Sequence, residues 1–206
     1  MTNARGLSTL AAAALVVSAL AGCSEDPAST TTPTESPSSL TPSSGATTEP
    51  PSDSELAEEA ASQVVTDYIA TVDRLRKDRK EPLGELKAVA IGGELAAQEI
   101  FTRNQRKAGN RQTGDTDVVD VVVQSVNLDN SDPQAGKLPT VQLDVCWDVS
   151  GGDVLDRDGN SIVSADRPER GWTRYTVVNH TWKKHPDDGW RVATSQDLEK
   201  APCSAA

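Results

Sequence analysis

The segment from residue 24 to residue 53, "SEDPASTTTPTESPSSLTPSSGATTEPPSD", most constrains what this chain can fold into. It consists mainly of Ser, Thr and Pro, with five acidic residues and no basic one. Such a composition cannot bury enough apolar surface to offset the entropy of ordering, so the segment is predicted to be disordered. Its prolines favour an extended spacer of about 3.1 Å per residue, or up to roughly 90 Å in total. The folded domain is therefore expected in residues 54–206.

A hydrophobic run precedes the spacer. Residues 7–21 are mostly Leu, Ala and Val, and Arg5 gives the start of the chain a weak positive charge. The run is shorter than the roughly 20 residues that a membrane-spanning helix needs, and it matches the apolar region of a secretory signal peptide. Residues 1–22 are therefore predicted to be a signal peptide, and the domain is predicted to be exported.

The run ends in Leu20-Ala21-Gly22-Cys23, which resembles the lipobox of bacterial lipoproteins. The resemblance implies cleavage between Gly22 and Cys23 and a diacylglyceryl group on the Cys23 thiol. Because each buried methylene of an acyl chain contributes ~0.8 kcal/mol, two chains would hold the protein stably on the outer face of the cytoplasmic membrane. The alternative is an ordinary secretory signal followed by a chance cysteine.

Two helices are predicted at the start of the domain. In residues 52–78 the apolar positions recur at spacings of three and four, and basic residues collect at the C-terminal end, as the helix macrodipole favours. Residues 83–107 give a weaker helical pattern that is broken at Gly92-Gly93. The apolar positions of the first helix are Leu56, Ala60, Val64, Tyr68, Val72 and Leu75. The basic residues in or after the second are expected to face solvent: Arg103, Arg106, Lys107 and Arg111.

The hydrophobic period then changes to that of strands. "DVVDVVVQSVNL" (residues 117–128) is β-branched on both faces and predicts a buried strand, and "TVQLDVCWDVS" (140–150) alternates cleanly. "GWTRYTVVNHTWKKH" (171–185) predicts a long strand, joined by a tight turn at "PDDG" to the last strand, "WRVATSQDL". The predicted class is α+β, with N-terminal helices packed on a curved antiparallel sheet of about four strands.

This layout and the closing "DDGWRVA" (residues 187–193) resemble the cone-shaped domains of the nuclear transport factor 2-like superfamily. Its enzymes include ketosteroid isomerase and the SnoaL-like cyclases, which place an Asp or His inside the cone as a general base. The resemblance makes Asp144, Tyr175 and His180 candidates for a pocket, while no catalytic residue is assigned. The alternatives are a solvated strand residue for Asp144, and likewise for Asp148, and a half-buried, hydrogen-bonded side chain for His180.

Cys146 and Cys203 are the two cysteines of the domain, and they are predicted to form a disulfide, which an exported compartment permits. The bond would close a loop of about 58 residues, worth roughly 4 kcal/mol in the chain-entropy model. Zinc is not expected, because two cysteines and distant histidines supply too few ligands. "DRDGNS" (residues 156–161) resembles part of a calcium loop, but Val154 and Ala165 occupy ligand positions, so a hairpin turn is predicted instead. No metal or cofactor is predicted.

The formal net charge of −11 argues against a nucleic-acid partner. The lipobox, the spacer and the late cysteine pair together resemble actinobacterial cell-surface lipoproteins. The expected function is a membrane-anchored lipoprotein that binds a partner protein, an envelope component or a small ligand without catalysis. Two alternatives stay open: an exported SnoaL-like enzyme or ligand carrier that uses the cone interior, and a phage-encoded superinfection-exclusion lipoprotein. A homodimer is also compatible with the fold.

Overall fold

The computed structural model of the chain describes residues 50–204. Within that range, no helix combines the length and the apolar character that crossing a membrane requires. The predicted signal peptide, the cleavage site between Gly22 and Cys23, and nearly all of the spacer lie outside the described residues. Lipidation at Cys23 therefore stays a prediction.

The first helix, α1 (Asp53–Lys77), begins at a capping box. The Ser52 hydroxyl accepts a hydrogen bond from the Glu55 N–H at 3.3 Å, and the Glu55 carboxylate accepts one from the Ser52 N–H at 2.7 Å. Two N–H groups that the helix itself cannot satisfy are thus paired. This pairing starts the helix at the last residue of the predicted spacer.

The buried face of α1 agrees with the predicted face only from Tyr68 onward. In the first half of the helix the buried residues are Ala57, Ala61 and Val65, each one position after a predicted residue, and Leu56 is exposed. The reason is geometric, because a strict repeat of four residues drifts by about 40° per step on a helix of 3.6 residues per turn. The predicted stripe therefore winds away from the core toward the N-terminus.

The second helix, α2 (Gly92–Ala108), follows a short 3₁₀ helix at Leu83–Ala88. It begins at the predicted break, where Gly92 has a φ of +61°, a value that favours glycine.

The prediction that Arg106 faces solvent is wrong. Its Nη2 donates to the carbonyls of Leu75 at 2.8 Å and Asp78 at 3.0 Å, so Arg106 satisfies carbonyls that the end of α1 leaves without helical partners.

Six strands complete the described chain, and they confirm the predicted α+β class. Their bounds are β1 Arg111–Thr113, β2 Asp117–Asn127, β3 Thr140–Asp148, β4 Asp153–Leu155, β5 Arg170–Asn179 and β6 Trp190–Leu198. β2, β3, β5 and β6 form one antiparallel sheet in that order, while β1 and β4 pair with each other in a second, two-stranded sheet. The helices precede the larger sheet, as predicted.

The β2 strand lies at an edge of the larger sheet, so its prediction as a buried strand is wrong. Its inner valines pack against the core, but Val122 on the outer face is 38% exposed. Two register shifts interrupt its pairing with β3, and acidic Asp117 and Asp120 lie along it. Bulges and charges of this kind protect a sheet edge against pairing with other chains.

The β5 strand ends at Asn179, six residues before the end of the predicted strand. The buried Asn179 side chain donates from Nδ2 to the His185 carbonyl at 2.7 Å and accepts from the Thr181 N–H at 2.8 Å. These bonds fold residues 180–189 into a connection longer than the predicted four-residue turn. Trp190 anchors its far end by donating from Nε1 to the Pro186 carbonyl at 2.8 Å.

The C-terminal tail is fastened across the outer face of the sheet. Cys146 on β3 and Cys203 form the predicted disulfide, with Cα atoms 6.2 Å apart and a sequence separation of 57. Nearby, the Lys200 ammonium lies 3.7 Å from the centroid of the Trp172 ring, a cation–π contact. The tail is therefore held by a covalent bond and a charged contact together.

We expect that replacing Cys203 with Ala lowers the free energy of unfolding by about 4 kcal/mol, because the unfolded chain regains the freedom of a long loop. Urea unfolding of the non-acylated chain would measure the change. The wild-type chain under reducing conditions should lose a similar amount. Equal unfolding midpoints for the oxidised and reduced wild type would contradict a stabilising disulfide.

Candidate ligand-binding cavity

The inner face of the sheet changes from apolar to polar along its length. On β3, β5 and β6 one end carries Leu143, Val177 and Val192, which are fully buried in the core. Toward the other end the same strands carry Trp147, Thr173 and Asp197 on the same face, as the pairing register requires. The apolar half of this face packs directly against α1, whereas a gap remains between α1 and the polar half.

A cavity of about 490 Å³ occupies the polar half, between α1 and the sheet. Its volume falls in the range of small-molecule sites, roughly 300–1,000 Å³. It is lined by residues of α1, α2 and three strands that combine aromatic rings with hydrogen-bonding groups. They include Tyr68, Val72, Asp73, Arg76, Gln98, Trp147, Thr173, Tyr175, Ser195 and Asp197.

A buried carboxylate on α2 organises one wall of this cavity. Glu94, which is 6% exposed, accepts hydrogen bonds from the Tyr68 hydroxyl, from Ser195 Oγ at 2.8 Å and from Gln98 Nε2 at 3.0 Å. Both carboxylate oxygens therefore have protein donors, as a buried charge requires. Glu94 lies behind the lining residues, where it orients Tyr68, Gln98 and Ser195.

Two tyrosines form the floor of the cavity. The rings of Tyr68 and Tyr175 meet edge to face, with centroids 5.8 Å apart and an angle of 67° between their planes. Burial raises the pKa of both hydroxyls well above the ordinary value, and the bond to Glu94 raises that of Tyr68 further. Both side chains are therefore neutral phenols at physiological pH.

The opposite wall is a second hydrogen-bonded chain that runs across three strands. Trp147 donates from Nε1 to Thr173 Oγ1 at 3.0 Å, and Thr173 donates in turn to Asp197 Oδ1 at 2.8 Å. These bonds hold the indole ring of Trp147 in place. The cavity thus has a fixed aromatic surface beside polar groups, an arrangement suited to orienting a small ligand.

Arg76 lies where the two helices meet the cavity. Its Nη2 donates to Gln98 Oε1 at 2.9 Å, but its Nε is buried and meets no hydrogen-bond acceptor in the part of the chain that the structure describes. No carboxylate among residues 50–204 forms a salt bridge with it. Asp73 accepts instead from the Thr116 N–H at 2.5 Å and from Gln112 Nε2 at 2.7 Å. Burial lowers the pKa of Arg76, although a guanidinium keeps its charge in proteins.

The structure places only one of the three predicted pocket residues in this cavity. Tyr175 lines it, whereas Asp144 points to the outer face of the sheet and His180 is exposed just after β5 ends. Arg174 binds both oxygens of Asp144, at 2.7 Å and 3.0 Å, and lowers its pKa. Asp144 and His180 are therefore not residues of this cavity: Asp144 lies on the strand face that carries the ion pair, and β5 ends before His180.

One feature of the α2 sequence indicates this site. Glu94, Gln98 and Thr102 recur every fourth residue on α2, and Glu94 and Thr102 are its buried residues. Meanwhile Ile100 and Phe101 on the same helix are 55% and 46% exposed. A helix that buries polar side chains and exposes apolar ones has the reverse of the usual pattern. Such a reversal marks a face turned toward a polar site.

Comparisons with known proteins add little to this geometry. No protein-family model matches this chain, and no curated protein sequence matches it. Among solved structures, the chain is similar to the intermembrane space region of the chloroplast protein ARC6. That likeness has 17% sequence identity and a TM-score of 0.47, and it covers 72% of this chain and 98% of that chain.

Asp148, on the outer face, should make stability depend on pH under acidic conditions. Hydrogen bonds from Ser150, followed by the contact with Arg170 Nε at 2.6 Å, lower its pKa from 3.8 to about 2. Since the folded-state pKa is depressed, its stabilisation is present above pH 3.8 and is lost as the pH falls toward 2.

Asp148→Asn should therefore lower the melting temperature at pH 6 and make little difference near pH 2. Thermal unfolding followed by circular dichroism at both pH values would measure this. Exposed Asp187 supplies the matched control, and Asp187→Asn should behave like the wild type at each pH. An equal loss for Asp148→Asn at both pH values would show that its effect does not come from ionisation.

Proposed function

We propose that this chain is an exported lipoprotein, anchored through an acylated Cys23, whose folded domain binds a small ligand in the cavity between α1 and the sheet. The resemblance of Leu20-Ala21-Gly22-Cys23 to a lipobox supports the anchor. The long spacer then separates the domain from the membrane. The α+β arrangement of helices before an antiparallel sheet supports membership in the nuclear transport factor 2-like superfamily.

One observation carries the binding proposal: buried Glu94 orients hydrogen-bonding side chains from two helices and β6 toward one cavity. Burying a carboxylate is costly unless its partners are in place. The hydrogen bonds to Glu94 offset that cost, and they also fix the orientation of the side chains that donate them. Tyr68, Ser195 and Gln98 are the groups that it orders, and all three line the cavity.

The state of the carboxylates favours binding over catalysis. Glu94 lies behind the wall with both oxygens hydrogen-bonded, and both oxygens of Asp73 accept from Thr116, with a further bond from Gln112. A general base needs a lone pair within reach of the substrate proton. Glu94 fails that requirement because it lies behind the lining residues, and Asp73, which does line the cavity, has both oxygens held by Thr116 and Gln112.

Asp197 supports a second candidate, an exported SnoaL-like enzyme. It lines the cavity on β6 and is exposed, and within residues 50–204 its side chain accepts a hydrogen bond only at Oδ1, from Thr173. A carboxylate beside a neutral tyrosine such as Tyr175 is a combination that proton-transfer enzymes use. Substrate turnover that Asp197→Asn abolishes, with substrate binding retained, would favour this candidate over the first.

The anchor is tested by Cys23→Ala, which should move the protein from the membrane fraction to the soluble fraction because it removes the acylated thiol. Fractionation of cells grown with a labelled fatty acid would measure both location and acylation. Cys203→Ala is the matched control, and it should stay labelled and membrane-bound. Retention of Cys23→Ala in the membrane would disprove the anchor.

The cavity is tested by the fluorescence of Trp147, since its indole ring lines the cavity. A panel of small phenols, sugars and carboxylic acids titrated into the chain should include members that change the emission. The change should disappear in Trp147→Phe and persist in Trp172→Phe, which alters the outer face. Tyr175→Phe should weaken binding roughly tenfold, the effect of one lost hydrogen bond.

Two negative results together would contradict ligand binding in this cavity. One is a panel without effect on Trp147 emission. The other is a native mass spectrum of the chain from the producing cells that shows the acylated protein with no additional bound mass.

A further inference from the structure

A second, smaller cavity of about 210 Å³ opens on the other side of Arg76. It lies between α2, which contributes Phe101, and the β4 region, which contributes Val154, Ile162 and Val163. We call it the α2 groove. Its walls are mainly apolar, and its volume is below the roughly 300–1,000 Å³ of sites for drug-sized molecules. A ligand that fits it is therefore small.

Two large apolar side chains at the α2 groove are exposed to solvent. Phe101 is 46% exposed and Ile162 is 50% exposed. A single exposed apolar residue is ordinary, but two that face each other across a groove form a surface that gains stability when it is covered. Phe101 lies on α2. The Ile162 N–H donates to the Val154 carbonyl at 2.9 Å on β4, which pairs with β1. Both sides of the groove are therefore held in place by the protein itself.

The charge of the α2 groove is opposite to that of the protein. The chain carries a formal net charge of −11, yet the residues lining the groove include Arg76 and Arg111 and, within the described chain, no Asp or Glu. The side-chain amides of Gln105 and Asn110 line it as well. Such a lining attracts a negative group that the rest of the surface would repel.

Arg76 places a positive charge beside the apolar surface of the groove. Its guanidinium lies over the Phe101 ring, 4.7 Å from the centroid, so the charge and the aromatic surface are adjacent. Its buried Nε has no acceptor among the described residues. A buried donor without a partner is destabilising, and a carboxylate is the group whose geometry matches a guanidinium edge.

We propose that the α2 groove binds a small organic carboxylate, with its anionic group on Arg76 and its apolar body between Phe101 and Ile162. The site is distinct from the cavity between α1 and the sheet, although Arg76 lines both. The groove recognises the ligand by two features together: one negative charge, and an aromatic or branched aliphatic body directly beside it.

The test compares 3-phenylpropionate with its neutral amide, 3-phenylpropionamide. Each is titrated into residues 24–206, which lack the acylated Cys23, and followed by backbone amide NMR shifts. We expect the carboxylate to bind at least roughly tenfold more tightly than the amide, as one charged hydrogen-bonded contact produces. The shifts should centre on residues around Phe101 and Ile162. Equal affinities, or binding of neither compound, would overturn the proposal.

Three variants test which side chains of the groove contact the ligand. Arg76→Gln should reduce carboxylate affinity to that of the amide and leave amide affinity unchanged. Phe101→Ser should weaken both compounds, and because Phe101 is half exposed the variant should fold. Arg103→Gln is the matched control on the same helix, where Arg103 reaches Glu99 at 3.6 Å, and it should bind like the wild type. A Phe101→Ser variant with wild-type affinity would overturn the groove as the site.

The Trp147 emission separates the two cavities. Carboxylate binding in the α2 groove should leave it unchanged and should be insensitive to Tyr175→Phe, because neither residue lines the groove. Binding that alters Trp147 and is weakened by Tyr175→Phe would place the anion in the cavity between α1 and the sheet. That outcome would support the proposed function and overturn the groove proposal.

Discussion

The hydrogen-bonded carboxylate of Glu94 is the constraint on which the cavity depends. A buried charge is stable only with donors around it, and the donors here come from α1, from α2 itself and from β6. These three elements therefore have one relative arrangement that satisfies Glu94. The cavity lies beside this junction and is lined by the three side chains that donate to Glu94, Tyr68, Gln98 and Ser195.

Different parts of the larger sheet stabilise the fold and line the cavity. Its apolar end, with Leu143, Val177 and Val192, packs against α1 and forms the core. Its outer face is stabilised by polar means, through ion pairs of Asp144 and Asp148 with arginines of β5 and through the disulfide that fastens the tail. Because stability comes from the core and the outer face, the polar end of the inner face is free to line a cavity.

Periodicity predicted α1, the order of helices and strands and the α+β class, because those features follow from local spacing of apolar residues. It failed for β2, whose valines on both faces resemble a buried strand while the pairing leaves it at an edge. The site was harder to predict. Glu94 meets Ser195 across 101 residues of sequence, and a single Glu or Arg on a helix resembles a solvated residue until the packing of distant elements is known.

Gln98 connects Glu94 to Arg76, which lines both cavities. Glu94 accepts from Gln98 Nε2, which leaves Gln98 Oε1 facing Arg76, and Arg76 Nη2 donates to that oxygen. The amide of Gln98 thus has one orientation. The guanidinium is held over Phe101, and its Nε has no acceptor among the described residues. Preorganised donors bind an anion without the entropic cost of ordering a flexible side chain. One buried carboxylate therefore orders both Tyr68 in the floor of the larger cavity and the Arg76 cation between the two cavities.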